Sequence, residues 1–386
     1  MTQRLRFSVV GLGQRMAAVL TAFKRAGAQF SIDGYFDPEP VGLAQLNSEG
    51  ISPGTVYTSV EQAVTSGGRD LILIGSPNHL HAEHLMLALY GQTPVFVEKP
   101  IVRTEAESYF LAERLGREAT PDLYVGLVLR SAPIVKEVLA IVREGYLGQI
   151  VSIDATEHLP PEHGAYLARN WRRHRKWGGS FLLDKVCHDF DILSEIAGAR
   201  PARIASFGGR SIFRNDRSPQ NRSYSNGEPA FQAWPGGWAA EEDAFRSSSD
   251  VTDHQTALIQ YANGVQLSFH SNSSSALLER RWYISGTEGT LVADIARNKF
   301  MWRRSLDLSA PIRRQFELVG DGHNGADVAM VGDLMAALSG EAAFPASPFH
   351  ALEAGLTVMA LDRAMHEGRI FDCTAMWTTL DAASGV

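Results

Sequence analysis

The chain has 386 residues, enough for two domains of ordinary size. Hydrophobic residues make up 45% and charged residues 20%, which excludes a disordered, collagenous or coiled-coil chain. The formal net charge of −7 argues against a general ligand for nucleic acid or anionic membrane, because both reward clustered Lys and Arg.

Two cysteines, Cys187 and Cys373, are too few for a disulfide framework or a Cys-rich metal site, and no metal is expected. No run of about 18 apolar residues exists, and Met1–Phe7 lacks an apolar leader core, so the expectation is a cytoplasmic protein without a membrane span. Arg outnumbers Lys 30 to six, which fits a bias of base composition. It also makes each lysine worth locating.

The first third alternates short apolar runs with helical periodicity. Leu5–Val10, Phe30–Phe36, Leu71–Ile74, Pro94–Val97 and Leu123–Val128 read as strands. Gln14–Gly27, Val41–Glu49, Asn78–Tyr90 and Thr104–Glu118 read as the helices between them. Strands that are apolar throughout and separated by helices predict a doubly wound α/β domain with a parallel sheet, residues 1–128. The pattern then changes. A helix at Ala132–Arg143 leads into an alternating strand, Ile150–Glu157, and a helix at Ser180–Ile196. Strands follow at Ala202–Phe207, Gln255–Tyr261, Val265–His270, Glu279–Gly286, Thr290–Ala293 and Phe300–Arg304. Helices Asp327–Leu338 and Ala351–Glu367 close the chain. Residues 129–386 thus read as an α+β domain with a large, mostly antiparallel sheet, whose terminal helices can pack back on the first domain. Asn215–Asp250 is rich in Pro, Gly (Gly227, Gly236, Gly237) and aromatic residues, and predicts a structured excursion that shapes a pocket or a subunit contact.

Gly11-Leu12-Gly13-Gln14-Arg15-Met16 follows the first strand and opens the first helix. Glycines there let the backbone approach a pyrophosphate, and the helix N-terminus offers free N–H groups. The third fingerprint position is Met16 rather than Gly or Ala, so the match is incomplete. Asp37 ends the second strand, 24 residues beyond Gly13, where a carboxylate can accept both ribose hydroxyls. No Arg follows it through Val41, which favours NAD over NADP.

Two more motifs end strands: Gly75-Ser76-Pro77-Asn78-His79-Leu80-His81 and Glu98-Lys99-Pro100. Further on stand Gly178-Gly179, Asp184-Lys185-Val186-Cys187-His188 and Gly286-Thr287-Glu288-Gly289. Taken in order, these resemble the glucose–fructose oxidoreductase / inositol dehydrogenase / MocA (Gfo/Idh/MocA) family along essentially the whole chain. The resemblance implies an NAD-dependent oxidoreductase acting on a carbinol carbon of a sugar, polyol, sugar acid or glycoside. It implies Lys99 and His188 as the catalytic pair, with Asp184 beside them. Cofactor contacts are expected from Gly11, Gly13, Gln14, Arg15, Met16, Asp37, Ser76, Pro77, Asn78, His81, Glu98, Lys99, Trp171 and Arg172. Substrate contacts are expected from Lys99, Tyr166, Asn170, Arg172, Asp184, Lys185, His188 and His323.

The chemistry suits those residue types. Removing hydride from an alcohol requires a base for the hydroxyl proton, and an imidazole serves near neutral pH. Lys99 can stabilise the alkoxide. Asp184 lies one helical turn before His188 and could orient it or bind a substrate hydroxyl. Lys185 departs from the common family pattern and adds a second amine. Arg169–Trp177 carries five positive charges among nine residues and points toward a substrate. Two other functions fit the same motifs: a glycoside hydrolase working by transient oxidation, and an NAD(H)-sensing regulator. Relatives of this kind use the bare face of the second sheet to form dimers, so a homodimer or homotetramer is expected.

Overall fold

The computed structural model describes residues 4–232, 234–235, 237–241, 243–319 and 323–385. Met1–Gln3 and Gly236 of the excursion lie outside them. The first sheet has order β3-β2-β1-β4-β5-β6 and every pair in it is parallel. Its strands are β1 (Leu5–Val10), β2 (Phe30–Phe36), β3 (Thr55–Val56), β4 (Leu71–Ile74), β5 (Val95–Val97) and β6 (Leu123–Val125). The connecting helices are α1 (Gln14–Arg25), α2 (Leu43–Ser48), α3 (Val60–Thr65), α4 (His81–Leu89) and α5 (Glu105–Arg117). β4, β5 and β6 are buried along their whole length, as a sheet covered on both faces demands. The order reverses between β1 and β4. The loops after those two strands therefore diverge and leave a crevice at the carboxyl ends, where such sheets bind ligands.

The second sheet has order β14-β13-β12-β11-β7-β10-β9-β8-β15, and β7 with β10 is its parallel pair. After α6 (Pro133–Arg143) come β7 (Ile150–His158), α7 (Pro161–Arg169), α8 (Arg175–Gly178) and α9 (Phe181–Ala197). The remaining strands are β8 (Pro201–Gly209), β9 (His254–Tyr261), β10 (Gln266–Asn272), β11 (Glu279–Gly286), β12 (Gly289–Asp294), β13 (Lys299–Arg304) and β14 (Ile312–Gln315). The chain closes with α10 (Ala326–Leu338), α11 (Pro348–Glu367), β15 (Phe371–Asp372) and α12 (Thr374–Ser384). One face of the sheet packs on α9 and α11. On the other, register sets Tyr283 opposite Asp154, Asp154 opposite Ser268, and Ser268 opposite Leu258. Leu258 lies opposite Ala205, and Phe207 continues the row. Phe207 is 73% and Leu258 64% exposed, so this face is open.

The last helices return to the first domain. α10 packs on α1, and α12 on α5, where Arg117 donates to Ala382 O at 2.9 Å. α7 falls between the expected strand Ile150–Glu157 and the expected helix Ser180–Ile196, where the sequence pattern places no element. Its Pro161 sits in the first turn, where a missing N–H costs nothing. The excursion is tied at both feet. Arg210 donates to Phe213 O, Ser247 O and Ser249 O, and Asp253 accepts from the amides of Ser211, Ile212 and Phe213. Phe213, Phe245, Ala165 and Ala168 form a small core beneath it.

Candidate active site

The glycine turn is shaped by its neighbour. Gly11 has φ +85°, and a Cβ there would stand 2.5 Å from Ser76 Cα and 2.6 Å from Gly75 C. Only glycine fits so close to the β4 loop. A Cβ on Gly13, the residue capping α1, would meet nothing within 4 Å, so the space beyond that helix terminus is open. Gln14 borders it and is partly exposed. Met16 is fully buried, and a Cβ on Gly75 would strike it at 2.8 Å. Its side chain packs against Gly75 of the β4 loop. Asp37 accepts from Leu12 N at 2.6 Å and Glu39 N at 2.8 Å. The same carboxylate braces the glycine turn.

The β4 loop is held from below. His81 bridges two carbonyls, with Nε2 2.8 Å from Ser76 O and Nδ1 2.7 Å from Pro100 O, so it joins the β4 and β5 loops. His81 is buried with its two ring nitrogens facing those carbonyls, one of which accepts from its N–H. Ser76 Oγ lies 2.9 Å from His84 Nδ1, and the partly exposed Pro77 leads into a short turn at Asn78–Leu80.

Asn78 crosses to the second domain, donating to Gly178 O at 2.8 Å and to Asp184 Oδ1 at 2.9 Å. Asp184 also receives Arg172 Nε at 3.1 and 3.0 Å. Burial would raise its pKa, but Arg172, Lys99 and Asn78 hold it below the usual carboxylate range. Lys99 stands two residues beyond β5, just before a cis Lys99-Pro100 bond, and its Nζ donates to the backbone carbonyl of Asp184. Of the two roles open to Asp184, alignment of His188 is not seen among the described residues: the carboxylate is taken up by Arg172 and Asn78. His188 lies one turn further along α9, 5% exposed, with a buried Nδ1 that has no hydrogen-bond partner among the described residues. Burial first, then Lys99 and Arg280, pushes its pKa well down, so the imidazole is neutral at pH 7.

Arg172 Nη1 donates to Tyr166 Oη at 3.0 Å, and its guanidinium lies 4.1 Å from the Trp171 ring centroid. Asn170 Oδ1 is 3.4 Å from Arg172 Nη1. Trp234 of the excursion stands against Tyr166 and His163, with ring centroids at 5.2 and 4.9 Å. Trp238 reaches the first domain and stacks on His79 at 5.5 Å. Both tryptophans belong to the aromatic excursion expected to shape a pocket, but the sequence does not say which residues they meet.

The basic run divides. Arg173 donates to Arg169 O and Asn170 O and pairs with Glu241 at 2.7 Å, and Arg175 pairs with Asp362 at 3.1 Å. Lys176 lies over Trp177. Of the five charges, Arg172 alone joins the Lys99–Asp184 cluster, so the run is not a basic surface aimed at a substrate. Arg15 is the larger surprise. It donates to Glu98 Oε1 at 2.8 Å and pairs with Asp327 of α10 at 2.6 Å, and His323 Nδ1 lies 2.8 Å from the same Asp327. Arg15 thereby ties the first domain to the second. Glu98 Oε2 accepts from Lys99 N at 3.2 Å, and Gly126 leaves room for its carboxyl.

These residues suit a dinucleotide. The N-terminus of α1 opens on free space at Gly13, Asp37 flanks it, and buried Arg15 Nη2 and His188 Nδ1 lack partners among the described residues.

The comparisons agree with this geometry. Residues 5–120 match the model of an oxidoreductase family with an NAD-binding Rossmann fold, and residues 135–292 that of the GFO/IDH/MocA C-terminal domain. Inositol 2-dehydrogenase of Corynebacterium glutamicum is 24% identical over 205 residues, 53% of this chain and 57% of that one. The 1,5-anhydro-D-fructose reductase of Ensifer adhaerens is 25% identical over 256 residues, 65% of this chain and 64% of that one. The matched stretch thus spans less than two thirds of either relative. Levoglucosan dehydrogenase in complex with NADH and levoglucosan superposes with a TM-score of 0.74 at 19% identity, covering 96% of this chain and 99% of the other. The two family models together take in most of the chain, on both sides of the crevice, and the chain belongs to the Gfo/Idh/MocA family of NAD-binding oxidoreductases.

Proposed function

We propose that the protein is an NAD-dependent dehydrogenase that oxidises, or forms by reduction, a secondary carbinol of a sugar or polyol. Residues 1–128 carry the cofactor and 129–386 the substrate. The observation that carries this is the convergence of Lys99, from the end of β5, on the first turn of α9 that also presents His188. When bound, NAD supplies the two-electron acceptor for the carbinol C–H. The residues of the chain handle the proton. His188, neutral at pH 7, accepts it from the hydroxyl as the carbonyl forms. Lys99 donates a hydrogen bond to the same oxygen and stabilises its developing charge. Asp184 is a positioning residue: Arg172 and Asn78 fix it, and its carbonyl fixes Lys99. Asp37 favours NAD over NADP.

No helix among the described residues is long and apolar enough to cross a membrane. The buried free thiols of Cys187 and Cys373 fit the reducing cytoplasm. The open row of Tyr283, Leu258 and Phe207 suits a second copy of the chain, as dimer or tetramer. Function is tested by incubating the protein with NAD and a panel of sugars, polyols and aryl glycosides, following NADH and product mass together. NADH formed in step with a ketone or lactone is expected. Glycoside cleavage without net NADH would replace this function with redox-neutral hydrolysis.

A further inference from the structure

Lys185 takes no part in the scheme above, yet it stands in the middle of the site. At 3.6 residues per turn, Asp184, His188, Lys185 and Asp189 follow one another around about 140° of α9. The outer two are neutralised by arginines. Asp184 has Arg172. Asp189 receives Arg280 of β11 at 2.9 and 2.6 Å, and Arg280 also lies 3.6 Å from Glu157 of β7. Glu98 and Asp327 share Arg15. Asp184, Asp189, Glu157, Glu98 and Asp327 thus each have a guanidinium within 4 Å, though Glu157 keeps a buried Oε2 without a hydrogen-bond partner among the described residues. Lys185, bracketed by these clusters, has no carboxylate within 4 Å among the described residues, and Lys99 Nζ meets a backbone carbonyl.

Two imidazoles, on α7 and α9, feel largely the same cations. Burial lowers the pKa of both His163, on α7, and His188, on α9. The charges that act next are all cationic: Lys185, Lys99 and Arg172 around His163, and Lys99, Arg280 and Lys185 around His188, with His323 when protonated. Burial also lowers the Lys185 amine to about 8; Lys99 and Arg280 add to this, while Glu157 and Asp184 oppose it.

We propose that the substrate is anionic, a sugar or polyol bearing a carboxylate, and that Lys185, assisted by Lys99, is its counter-charge. The proposal rests on the dehydrogenase function and narrows its substrate. The Lys185 side chain is only partly buried, so its amine can be reached by a ligand, and a carboxylate accepting from it forms a charge-assisted hydrogen bond. A neutral polyol offers that amine only a hydroxyl oxygen, a weaker acceptor than a carboxylate, so the site favours the acid. The carboxylate at Lys185 also leaves the carbinol to His188, about 60° away around the same helix.

The test uses protein loaded with NADH, which binds ligand without turnover. Glucose, gluconate and glucuronate are titrated calorimetrically. Each carboxylate is expected to bind at least tenfold more tightly than glucose, and the preference to weaken with added salt and above about pH 8, as Lys185 loses its proton. Lys185→Met removes the preference, Lys185→Arg retains part of it, and both bind NADH as the parent does. Equal binding of acid and neutral sugar, including no binding of either, overturns the proposal, as does a preference that survives Lys185→Met. If Lys185→Met fails to bind NADH, Lys185→Arg and the salt and pH response of the parent protein decide; a flat response overturns it. Carboxylates that bind but yield no NADH from NAD sink the dehydrogenase function and leave the anion site standing. NADH formed from neutral polyols without carboxylate preference does the reverse.

Discussion

Arg15→Met should weaken the joint between the two domains. Arg15 satisfies two carboxylates, Glu98 and Asp327, whose side chains are 5% and 7% exposed. Removing one member of a buried ion pair costs about 3–5 kcal/mol, because the charge left behind stays desolvated. Arg15 retains some solvent contact, which places the expected loss near the lower end, about 3 kcal/mol, or roughly 100-fold in the folded-to-unfolded ratio. The pH dependence supplies a second readout. Burial would raise the pKa of Asp327, but Arg15 and His323 hold it far below its ordinary value. A depressed folded pKa stabilises the protein above the unfolded value near 4, and that stability is lost as pH falls toward the folded pKa. Without Arg15, burial dominates and the folded carboxyl prefers its proton. The variant then loses stability as pH rises from about 4 to 7, so the deficit is larger at pH 7 than at pH 4.5. Urea unfolding of both proteins at the two pH values measures it. A loss below about 1 kcal/mol at pH 7, or an equal loss at both, would refute the buried-network reasoning.

Other outcomes are expected. Gly11→Ala puts a methyl against Ser76 in a left-handed backbone, so NADH affinity should fall at least tenfold in a fluorescence titration; unchanged affinity contradicts the close approach. Asp37→Ser removes the carboxylate flanking the crevice and should cut the NAD-over-NADP preference at least tenfold, whereas an unaltered ratio of kcat/KM values places the selectivity elsewhere. The depressed pKa of His188 keeps the imidazole neutral at pH 6.5, so the acid limb of kcat/KM should lie below that value; a limb centred above it assigns the base to another group. Phe207→Glu with Leu258→Glu should yield a smaller species in sedimentation, and an unchanged mass would show that the open sheet face is not the contact.

Much of the first domain is legible locally. β4, β5 and β6 are continuous apolar runs, and the Gly11–Gly13 turn sits between a strand and a helix in sequence as in space. The site was less legible wherever charge decides. Arg169–Lys176 looks like one basic surface, yet Arg173 meets Glu241 and Arg175 meets Asp362, partners that only the closed chain supplies. Arg15 follows the glycine turn, where a cofactor contact is expected, and its Nη1 also reaches Asp327, 312 positions later, a partner that local sequence does not reveal. Asp184 and His188 share a helix face, which suggests an aligned pair, whereas the stronger attraction of Arg172 turns the carboxylate away. Spacing reports which residues can meet, and competition among buried charges selects which do.

The central claim is proton transfer at Lys99 and His188 coupled to oxidation of a carbinol. The most direct measurement is NADH production by the parent protein, Lys99→Met and His188→Ala, on the same active substrate, with NADH binding as the fold control. Both variants should bind NADH and lose at least a thousandfold in kcat/KM. A variant that binds NADH and keeps parental turnover would contradict the claim.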